Sequence, residues 1–443
     1  MKFFLISQDG DGLGIARRLV DEGHDVTVRI RNPKARSDYD GLLKKADKLS
    51  VEKGTLYLFD STGGGKTAER LQGQGHPVLG ASMFAQQLEM DRHLALELMA
   101  DAGIQVPPSK HFTDYHSGRQ YVETTGERMC FKSDDNGGTS YVASGPDDML
   151  EFLNHQEKEG EKPDFELQHF VQGLEISTEI WFDGVDMTPP INHTFEKKQL
   201  MNDDIGPSSG CTGNVVWACT QTYCRICEEG IKRFIPMLHQ QGYRGPIDLN
   251  TIVNDNGVFG LEWTPRFGFD SFPALMEMMT EGVGDTLEKY CRGERMTKFP
   301  MRETGFGAAL RVTIPPYPFE REGEALAPQG IAIRELVRAD RPHAYFYNVL
   351  LDPEGQLRSS GASGAIAAFT GFGDSIIDAM GKCEEIARRV DLKDKQFRTD
   401  LGHSFSESYS QFQRRIAQPA SPSEKNSLSV TASSSNTVLV VNA

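Results

Sequence analysis

The chain opens on short apolar strands that alternate with Gly-rich turns and helices, and this alternation limits the possible folds more than any other feature. Residues 2–7 are apolar, and the turn at 9–14 leads into a helical pattern that ends at Gly23. The same order returns between residues 55 and 80. Such alternation with short turns is typical of a parallel sheet with helices on both faces. We therefore predict an α/β chain that begins with a doubly wound parallel sheet.

The remaining length requires further units, because 443 residues exceed one ordinary core. Single helices are predicted at 84–102 and 275–292 from their apolar spacing. The chain is divided into an N-terminal doubly wound domain (1–105), a second unit (106–300), a C-terminal α+β domain (301–416) and a tail (417–443). The tail is rich in Ser, Pro and Asn, which predicts disorder.

The composition excludes several classes of protein. The formal net charge is −16, and an acidic surface repels nucleic-acid phosphates, so no nucleic acid polymer is expected as a partner. No apolar run approaches the ~20 residues that span a bilayer, so no membrane partner is expected either. The first residues lack the pattern of a signal peptide. We expect a cytoplasmic protein.

The cysteines favour the same compartment. Seven are scattered along the chain, an odd number at low density, which indicates reduced thiols. Cys224 and Cys227 form a CxxC in a helical stretch, but no second CxxC accompanies it. One interpretation of this CxxC is a metal or redox role. The favoured interpretation is that Cys224 and Cys227 are simply two buried or half-buried thiols.

The first motif with chemical content is an apolar strand that ends in Lys132 and is followed by Gly137 and Gly138. A Lys at a strand end places a point charge on phosphates, and a Gly-rich loop lets backbone N–H groups approach them. The alternative is a surface Lys before a hairpin turn, and the motif alone does not decide between the two.

The second motif runs over residues 165–177, where one apolar-edged strand, a connector and a second strand follow each other. Such a connector would suit an adenine-binding hinge, with Glu175 on the ribose hydroxyls. A plain β-hairpin with a solvated Glu is the alternative. The hinge residues are Gln168, His169, Phe170 and Val171.

The third motif is a predicted hairpin that turns at Asn256-Gly257 between two apolar runs. Strand alternation places Asp248 and Asn250 on one face, and Glu262 and Thr264 on one face. If the two faces coincide, oxygen ligands converge as Mg²⁺ or Mn²⁺ on nucleotide phosphates requires. The alternative is a polar face in water, which the strongly apolar flanks disfavour.

A phosphate-binding Lys, an adenine hinge and a carboxylate hairpin in this order resemble the ATP-grasp superfamily. More closely, the chain resembles the phosphoribosylamine–glycine ligase family. The segment from Lys198 through Asp204 to Gly213 is similar to the most specific signature of that family, and Arg266-Phe267-Gly268 is similar to its Arg-Phe-Gly segment. The resemblance extends over residues 1 to about 410, and it identifies 106–300 as the ATP-grasp domain.

The resemblance implies a ligase that uses ATP to activate a carboxylate as an acyl phosphate, which an amine then attacks. Small-molecule amine and carboxylate substrates are expected, and a monomer. Lys132 and Arg92 would contact the phosphates, Glu175 the ribose and Glu262 the metal. Lys198, Asp204 and Arg266 would border the reacting groups, and we name them as catalytic residues.

Departures from the family fall mainly where the amine should bind. The turns at 10–14 and 61–67 differ from the family, and Phe269 and Ser271 replace acidic residues. Thr264 stands where a metal-binding Asn is usual, and Thr139 where a loop Lys is expected. Two alternatives therefore stay open: a ligase of the same family that acylates a different amine, such as a modified nucleotide, and an inactive fold that only binds nucleotide.

Two Gly-rich turns imitate other nucleotide-binding motifs. Gly65-Lys66-Thr67 matches the end of a P-loop, but Asp60 stands where its first Gly should be. Gly10, Gly12 and Gly14 have the wrong third spacing for a dinucleotide fold. Neither turn is interpreted as the motif that it imitates.

Overall fold

The computed structural model describes residues 1–80, 82–133, 140–160, 163–221, 223–319 and 327–416. Over this part of the chain, no helix combines the length and apolar character that crossing a bilayer requires. The predicted tail at 417–443 and the loop residues Gly137, Gly138 and Thr139 lie outside the described residues.

The N-terminal sheet has five strands in the order β3-β2-β1-β4-β5, and all neighbouring pairs are parallel. Its strands are β1 (Lys2–Ser7), β2 (Asp25–Ile30), β3 (Lys44–Lys45), β4 (Thr55–Phe59) and β5 (Val78–Leu79). The helices of this part are α1 (Leu13–Asp21), α2 (Gly65–Gly73), α3 (Met83–Met90) and α4 (Arg92–Asp101). The predicted parallel sheet is confirmed.

The single helix predicted at 84–102 is wrong, because the chain breaks at Asp91 into α3 and α4. Asp91 has φ −112° and ψ 88°, and its side chain accepts a hydrogen bond of 3.0 Å from the backbone N–H of Leu94. An Asp that caps a helix in this way competes with helix continuation. The break places Arg92 at the first turn of α4, beside the third sheet described below.

A four-stranded antiparallel sheet follows in the order β6-β9-β7-β8. It contains β6 (Ser109–Phe112), β7 (Met129–Ser133), β8 (Ser140–Val142) and β9 (Phe165–His169), with the helices α5 (Tyr115–Thr125) and α6 (Pro146–Glu159). Its own small core is aromatic: the ring of Phe165 stacks on Phe112, Tyr115 and Phe131 at centroid distances of 4.9 to 5.6 Å.

The rest of the chain is built around one eight-stranded antiparallel sheet. Its strands and those that accompany it are β10 (Leu174–Phe182), β11 (Met187–Gln199), β12 (Ser208–Cys219), β13 (Gly245–Asn254), β14 (Gly257–Thr264), β15 (Phe306–Thr313), β16 (Ile333–Arg334), β17 (Ala344–Phe346), β18 (Val349–Leu351), β19 (Leu357–Ser359), β20 (Ala365–Gly373) and β21 (Asp391–Leu392). The helices are α7 (Arg225–Glu229), α8 (Ile235–Gln240), α9 (Ser271–Met278), α10 (Val283–Arg292), α11 (Ile376–Arg389) and α12 (Leu401–Ile416). The strand order is β14-β13-β10-β11-β12-β15-β20-β17.

This sheet crosses the predicted boundary at residue 300. β12 belongs to the predicted 106–300 unit and β15 to the predicted 301–416 unit, yet they pair directly, with Gly213 opposite Leu310. The helix predicted at 275–292 is wrong as a single element, because the chain leaves α9 at Met279 in an extended conformation and starts α10 at Val283. The C-terminal part combines strands with α11 and α12, as the α+β prediction required.

Candidate active site

One face of the eight-stranded sheet carries a row of oxygen-bearing side chains. In the β13–β14 register Asp248 lies opposite Thr264 and Asn250 opposite Glu262, so the predicted coincidence of the two faces is confirmed. Asn250 connects three strands: its Oδ1 accepts from Ser177 Oγ at 2.9 Å, and its Nδ2 donates to Glu262 Oε1 at 3.1 Å. The row consists of Glu175, Ser177 and Glu179 on β10, Asp248 and Asn250 on β13, and Glu262 and Thr264 on β14.

Glu262 lies at the end of the row where the cations gather. Its Oε2 is 3.4 Å from Nη2 of Arg92, and 44% of its side chain remains open to solvent. Burial alone would raise the pKa of Glu262, but the charges of Lys198, Arg92 and Lys132 together lower it. A carboxylate that stays ionised among three cations can hold a divalent metal next to phosphates.

Asp248 and Glu179 lie opposite each other further along the row. Burial, and to a lesser extent the charges of Glu196 and Glu262, raise the pKa of Asp248 to about 7. Burial and the charge of Asp248 raise the pKa of Glu179 to about 8, although Trp181 Nε1 donates to Glu179 Oε1 at 3.0 Å. Both carboxyl groups therefore lie in surroundings that disfavour their charged forms.

The donor set fits a hard divalent cation. Asp248 Oδ1 is buried and has no hydrogen-bond partner within the described part of the chain. An ionised carboxylate oxygen without a donor is costly to bury, and a metal ion would satisfy it. The Asn250 amide oxygen, the Glu262 carboxylate and the Thr264 hydroxyl supply further oxygen ligands of the type that Mg²⁺ prefers. Their role as ligands stays a prediction.

Lys132 reaches the same cleft from the four-stranded sheet. It is next to last in β7, opposite Glu166 on β9, and its Nζ donates to Ser140 Oγ at 2.5 Å. Burial, and then the charge of Arg92, lower the pKa of Lys132. Consecutive residues of α4 join the two sheets at this cleft, since Arg92 lies 3.4 Å from Glu262 on β14 and His93 lies 3.8 Å from Glu166 on β9. The predicted loop partners Gly137 and Gly138 lie outside the described residues.

The predicted hinge leaves the end of β9 and reaches β10. His169 is held on both ring nitrogens, by Glu127 at 2.5 Å and by the Tyr121 hydroxyl at 3.1 Å. Phe170 donates its backbone N–H to the Arg128 carbonyl at 3.0 Å, and the Arg128 guanidinium lies 3.6 Å from the centre of its ring. These contacts fix the backbone of the hinge.

Two polar groups of the hinge remain open to a ligand. The buried Gln168 Nε2 has no partner among the described residues. Likewise, the described residues offer no hydrogen-bond acceptor to the backbone N–H of Val171, two residues after the end of β9. Groups of this kind can read the edge of a base.

Glu175 and Lys198, which sequence reasoning assigned to different roles, form an ion pair. Lys198 Nζ donates to Glu175 Oε1 at 2.8 Å, and about half of the Glu175 side chain is exposed. Burial opposes the charge of Lys198, but Glu175, Glu196 and Glu262 raise its pKa. Lys198 thus remains a cation between Glu175, the predicted ribose ligand, and Glu262, the predicted metal ligand.

Asp204 is held by other partners than Lys198. It accepts from Lys197 Nζ at 2.5 Å and from Arg398 Nη1 at 2.7 Å, and Arg398 also binds Asp400. These bonds connect the β11–β12 turn to the segment before α12. The carboxylate is occupied by a contact between distant parts of the chain, and catalysis by Asp204 stays a prediction.

Arg266 lies beyond the end of β14, beside α3. Its Nε donates to Glu89 Oε1 at 2.8 Å, and its guanidinium lies 4.1 Å from the ring centre of Phe269. A cavity of about 130 Å³ between α3, α4 and β14 is lined by Arg266 together with Arg92, Glu262 and Thr264. The structure therefore brings predicted catalytic, phosphate-binding and metal-binding residues to one cavity.

The N-terminal Gly-rich turn approaches Arg266 from the parallel sheet. Gly12 donates its N–H to the buried Asp60 carboxylate at 2.7 Å. Burial and the charge of Asp60 raise the pKa of Asp11 to about 7, while Arg266 and Arg311 oppose that shift. Lys66, in the first turn of α2, is exposed. The expected acceptor end of the cleft is thus acidic on its N-terminal side.

Sequence reasoning missed Ser177 and Glu179 in the carboxylate row, and Glu196 beside it. Alternation along β10 places Ser177 and Glu179 on the face of Glu175, and this signal was available in the sequence. Glu196 faces the row from β11, and only the register of β10 with β11 places it there.

Comparison with known proteins supports the family suggested by the motifs, although no protein-family model matches the chain. A phosphoribosylamine–glycine ligase of Nostoc sp. is 24% identical over 347 residues, which cover 75% of this chain and 80% of that protein. The solved phosphoribosylamine–glycine ligase of Thermotoga maritima superposes with a TM-score of 0.72 at 18% identity, covering 90% of this chain and all of that one.

A second group of solved structures shares the fold. The biotin carboxylase domain of the Hydrogenobacter thermophilus 2-oxoglutarate carboxylase, in complex with MgADP, ADP and bicarbonate, superposes with a TM-score of 0.62 at 12% identity. It covers 93% of this chain and 98% of that one. The predicted resemblance and the predicted ATP-grasp fold are both confirmed.

Proposed function

We propose that this chain, a relative of the phosphoribosylamine–glycine ligases with the ATP-grasp fold, is an ATP-dependent ligase that joins a carboxylate to an amine. The observation that carries the proposal is the meeting of the carboxylate row with Arg92, Lys132 and Lys198 in one cleft between two sheets. We propose small-molecule substrates, and a monomer that acts in the cytoplasm.

ATP would lie between the four-stranded and the eight-stranded sheet. The hinge from Gln168 to Val171 would take the adenine, because it presents open polar groups on a fixed backbone. Glu175 would bind the ribose with Oε2, since Oε1 already accepts from Lys198. Lys132 and Arg92 would contact the phosphates as cations.

Asp248, Asn250, Glu262 and Thr264 would hold Mg²⁺ or Mn²⁺. The unpartnered Asp248 Oδ1 and the ionised Glu262 favour a divalent cation at this place. A metal bound there would neutralise charge on the phosphates of the nucleotide. Ser177 and Glu262 fix the Asn250 amide within the row, because its oxygen accepts from Ser177 and its nitrogen donates to Glu262.

The reaction proceeds in two steps. A carboxylate oxygen attacks the γ-phosphorus of ATP, the bond to ADP breaks, and an acyl phosphate forms. The amine lone pair then attacks the acyl carbon, the bond to phosphate breaks, and the nitrogen loses a proton. Lys198 and Arg266 would border the reacting groups and stabilise their negative charge. The cleft between the sheets would exclude water, which otherwise hydrolyses the acyl phosphate.

The test is ADP release by the full chain with ATP and Mg²⁺, first with glycine alone and then with candidate amines, phosphoribosylamine among them. Turnover that requires both a carboxylate and an amine supports the proposal, and Glu262→Gln serves as the matched inactive control. Bound ATP without ADP release under any condition would instead favour an inactive nucleotide-binding fold.

A ligase of the same family with a different amine is the second candidate, because of the acidic N-terminal turn. Asp11 lies on the N-terminal turn where the amine is expected, and the buried Asp60 holds that turn by accepting the N–H of Gly12. An acidic residue at that position disfavours a phosphorylated amine and favours one that carries positive charge or hydrogen-bond donors. Turnover with phosphoribosylamine at a rate similar to that of known family members would exclude this candidate.

A further inference from the structure

Four potential metal ligands meet on the face of the eight-stranded sheet that lies opposite the carboxylate row. They are His193 on β11, Cys219 at the end of β12, and Cys224 and Cys227 at α7. One ligand atom from each side chain lies within 4.8 Å of the other three. His193, Cys224 and Cys227 are buried, and Cys219 is half-buried.

The fold explains why these residues meet. Cys219 pairs with Ile191 in the β11–β12 register, so Cys219 and His193 are diagonal neighbours on one face. Cys224 immediately precedes α7, and Cys227 follows one turn later, so the CxxC presents both thiols to the same side. The CxxC recognised in the sequence is therefore only half of the cluster.

The distances agree with a tetrahedral zinc site. With Zn–S bonds of about 2.3 Å and Zn–N bonds of about 2.0–2.1 Å, the edges of a tetrahedron are about 3.8 Å between sulfurs and about 3.6 Å between sulfur and nitrogen. The Sγ atoms of Cys219 and Cys227 are 3.9 Å apart. Cys224 Sγ lies 3.5 Å from His193 Nε2.

The imidazole is also oriented as a ligand. Its Nδ1 is hydrogen-bonded to the buried Thr178 hydroxyl at 3.0 Å, which directs Nε2 towards the thiols. A second partner on the other ring nitrogen is the usual way to fix a histidine ligand. Phe412 of α12 packs against the ring at 5.2 Å and covers it.

We propose that His193, Cys219, Cys224 and Cys227 bind one structural Zn²⁺ ion. Three cysteines and one histidine fill all four positions, which is the composition of a closed structural site rather than a catalytic one. The ion would fasten α7 to the sheet. Arg225 of α7 in turn donates to the Asn254 carbonyl of the β13–β14 hairpin at 3.1 Å. The zinc site would therefore stabilise this hairpin, which carries part of the carboxylate row on its opposite face.

The experiment measures metal in the full chain, produced without a histidine tag in zinc-supplemented medium. We expect one equivalent of zinc per chain by elemental mass spectrometry, and its loss in Cys224→Ser and in Cys227→Ser. Cys130→Ser is the matched control, since Cys130 is also buried but lies in the four-stranded sheet, and it should retain the metal.

A second measurement does not depend on whether the variants fold. Wild-type protein stripped of metal and titrated with Co²⁺ should develop a thiolate-to-cobalt charge-transfer band with one-to-one stoichiometry. Wild-type protein that contains no zinc and gives no such band would overturn the proposal. A disulfide between Cys219 and Cys227 in freshly purified protein, or stoichiometric iron in place of zinc, would overturn it equally.

Discussion

Replacing Asp248 by Asn should remove a pH dependence of stability that the carboxylate row imposes on the metal-free protein. The side chains are nearly the same size, and Asp248 Oδ1 has no hydrogen-bond partner among the described residues to lose. Burial and neighbouring carboxylates raise the pKa of Asp248 from 3.8 to about 7. The folded protein therefore keeps a proton that the unfolded chain releases, and its stability falls as the pH rises from about 4 to 7.

The size of the effect follows from that shift. About three pH units at about 1.36 kcal/mol each amount to about 4 kcal/mol. With an unfolding entropy of about 2.1 cal/mol/K per residue, a chain of 443 residues changes its melting temperature by about 4 °C for this free energy. The variant should melt with the wild type near pH 4 and about 4 °C above it at pH 8.

Differential scanning calorimetry without metal, from pH 4 to pH 8, makes this measurement. Asp101→Asn is the control, because it makes the same chemical change at an exposed position of α4. Mg²⁺ with ADP should stabilise the wild type at pH 8 more than the variant. If the melting temperatures of wild type and Asp248→Asn change in parallel across the whole pH range, the raised pKa assigned to Asp248 is refuted.

Three further predictions concern catalysis, packing and the tail. Glu262→Gln should lower turnover at least about 100-fold without changing the melting temperature, because mutation of even the residues that only support metal ligands lowers metal affinity or activity about 10–100-fold. Near-normal ADP release by this variant would show that Glu262 is not a metal ligand. Gly307→Ala should lower the free energy of unfolding in urea by about 1–3 kcal/mol, because the new Cβ would lie 2.1 Å from the Ala274 carbonyl oxygen. Gly381→Ala is the control, because its Cβ would meet open space and should not destabilise the fold. Equal effects of the two substitutions would contradict the packing of α9 on β15. Deletion of residues 418–443 should leave ADP release unchanged, and a large loss would show that the tail takes part in function.

The carboxylate hairpin was predictable because its information is local. Asn256-Gly257 fixes the turn, and alternation along each strand then places Asp248 opposite Thr264 and Asn250 opposite Glu262. The four-residue ligand group therefore followed from one segment of sequence. Lys132 was predicted from its place at the end of an apolar strand and Arg92 from the resemblance, and the structure brings both to the same cleft.

Other features depend on pairings that a single segment does not contain. The break at Asp91 arises because one side chain captures a backbone N–H inside a pattern that otherwise continues as helix. The bond between Asp204 and Arg398 joins residues far apart in the sequence. The cysteine–histidine cluster combines a CxxC with two strand residues, and only the β11–β12 register brings them together.

The pairing of β12 with β15 has a consequence for how this protein can be divided. A fragment that ends near residue 300 would leave the backbone groups of β12, an interior strand, without their neighbour. Such an exposed interior edge is a template for pairing with other chains, so the fragment should aggregate even though its sequence looks like a complete unit. By contrast, the four-stranded sheet, with its own aromatic core, is the part of the molecule that could be exchanged between relatives as a module.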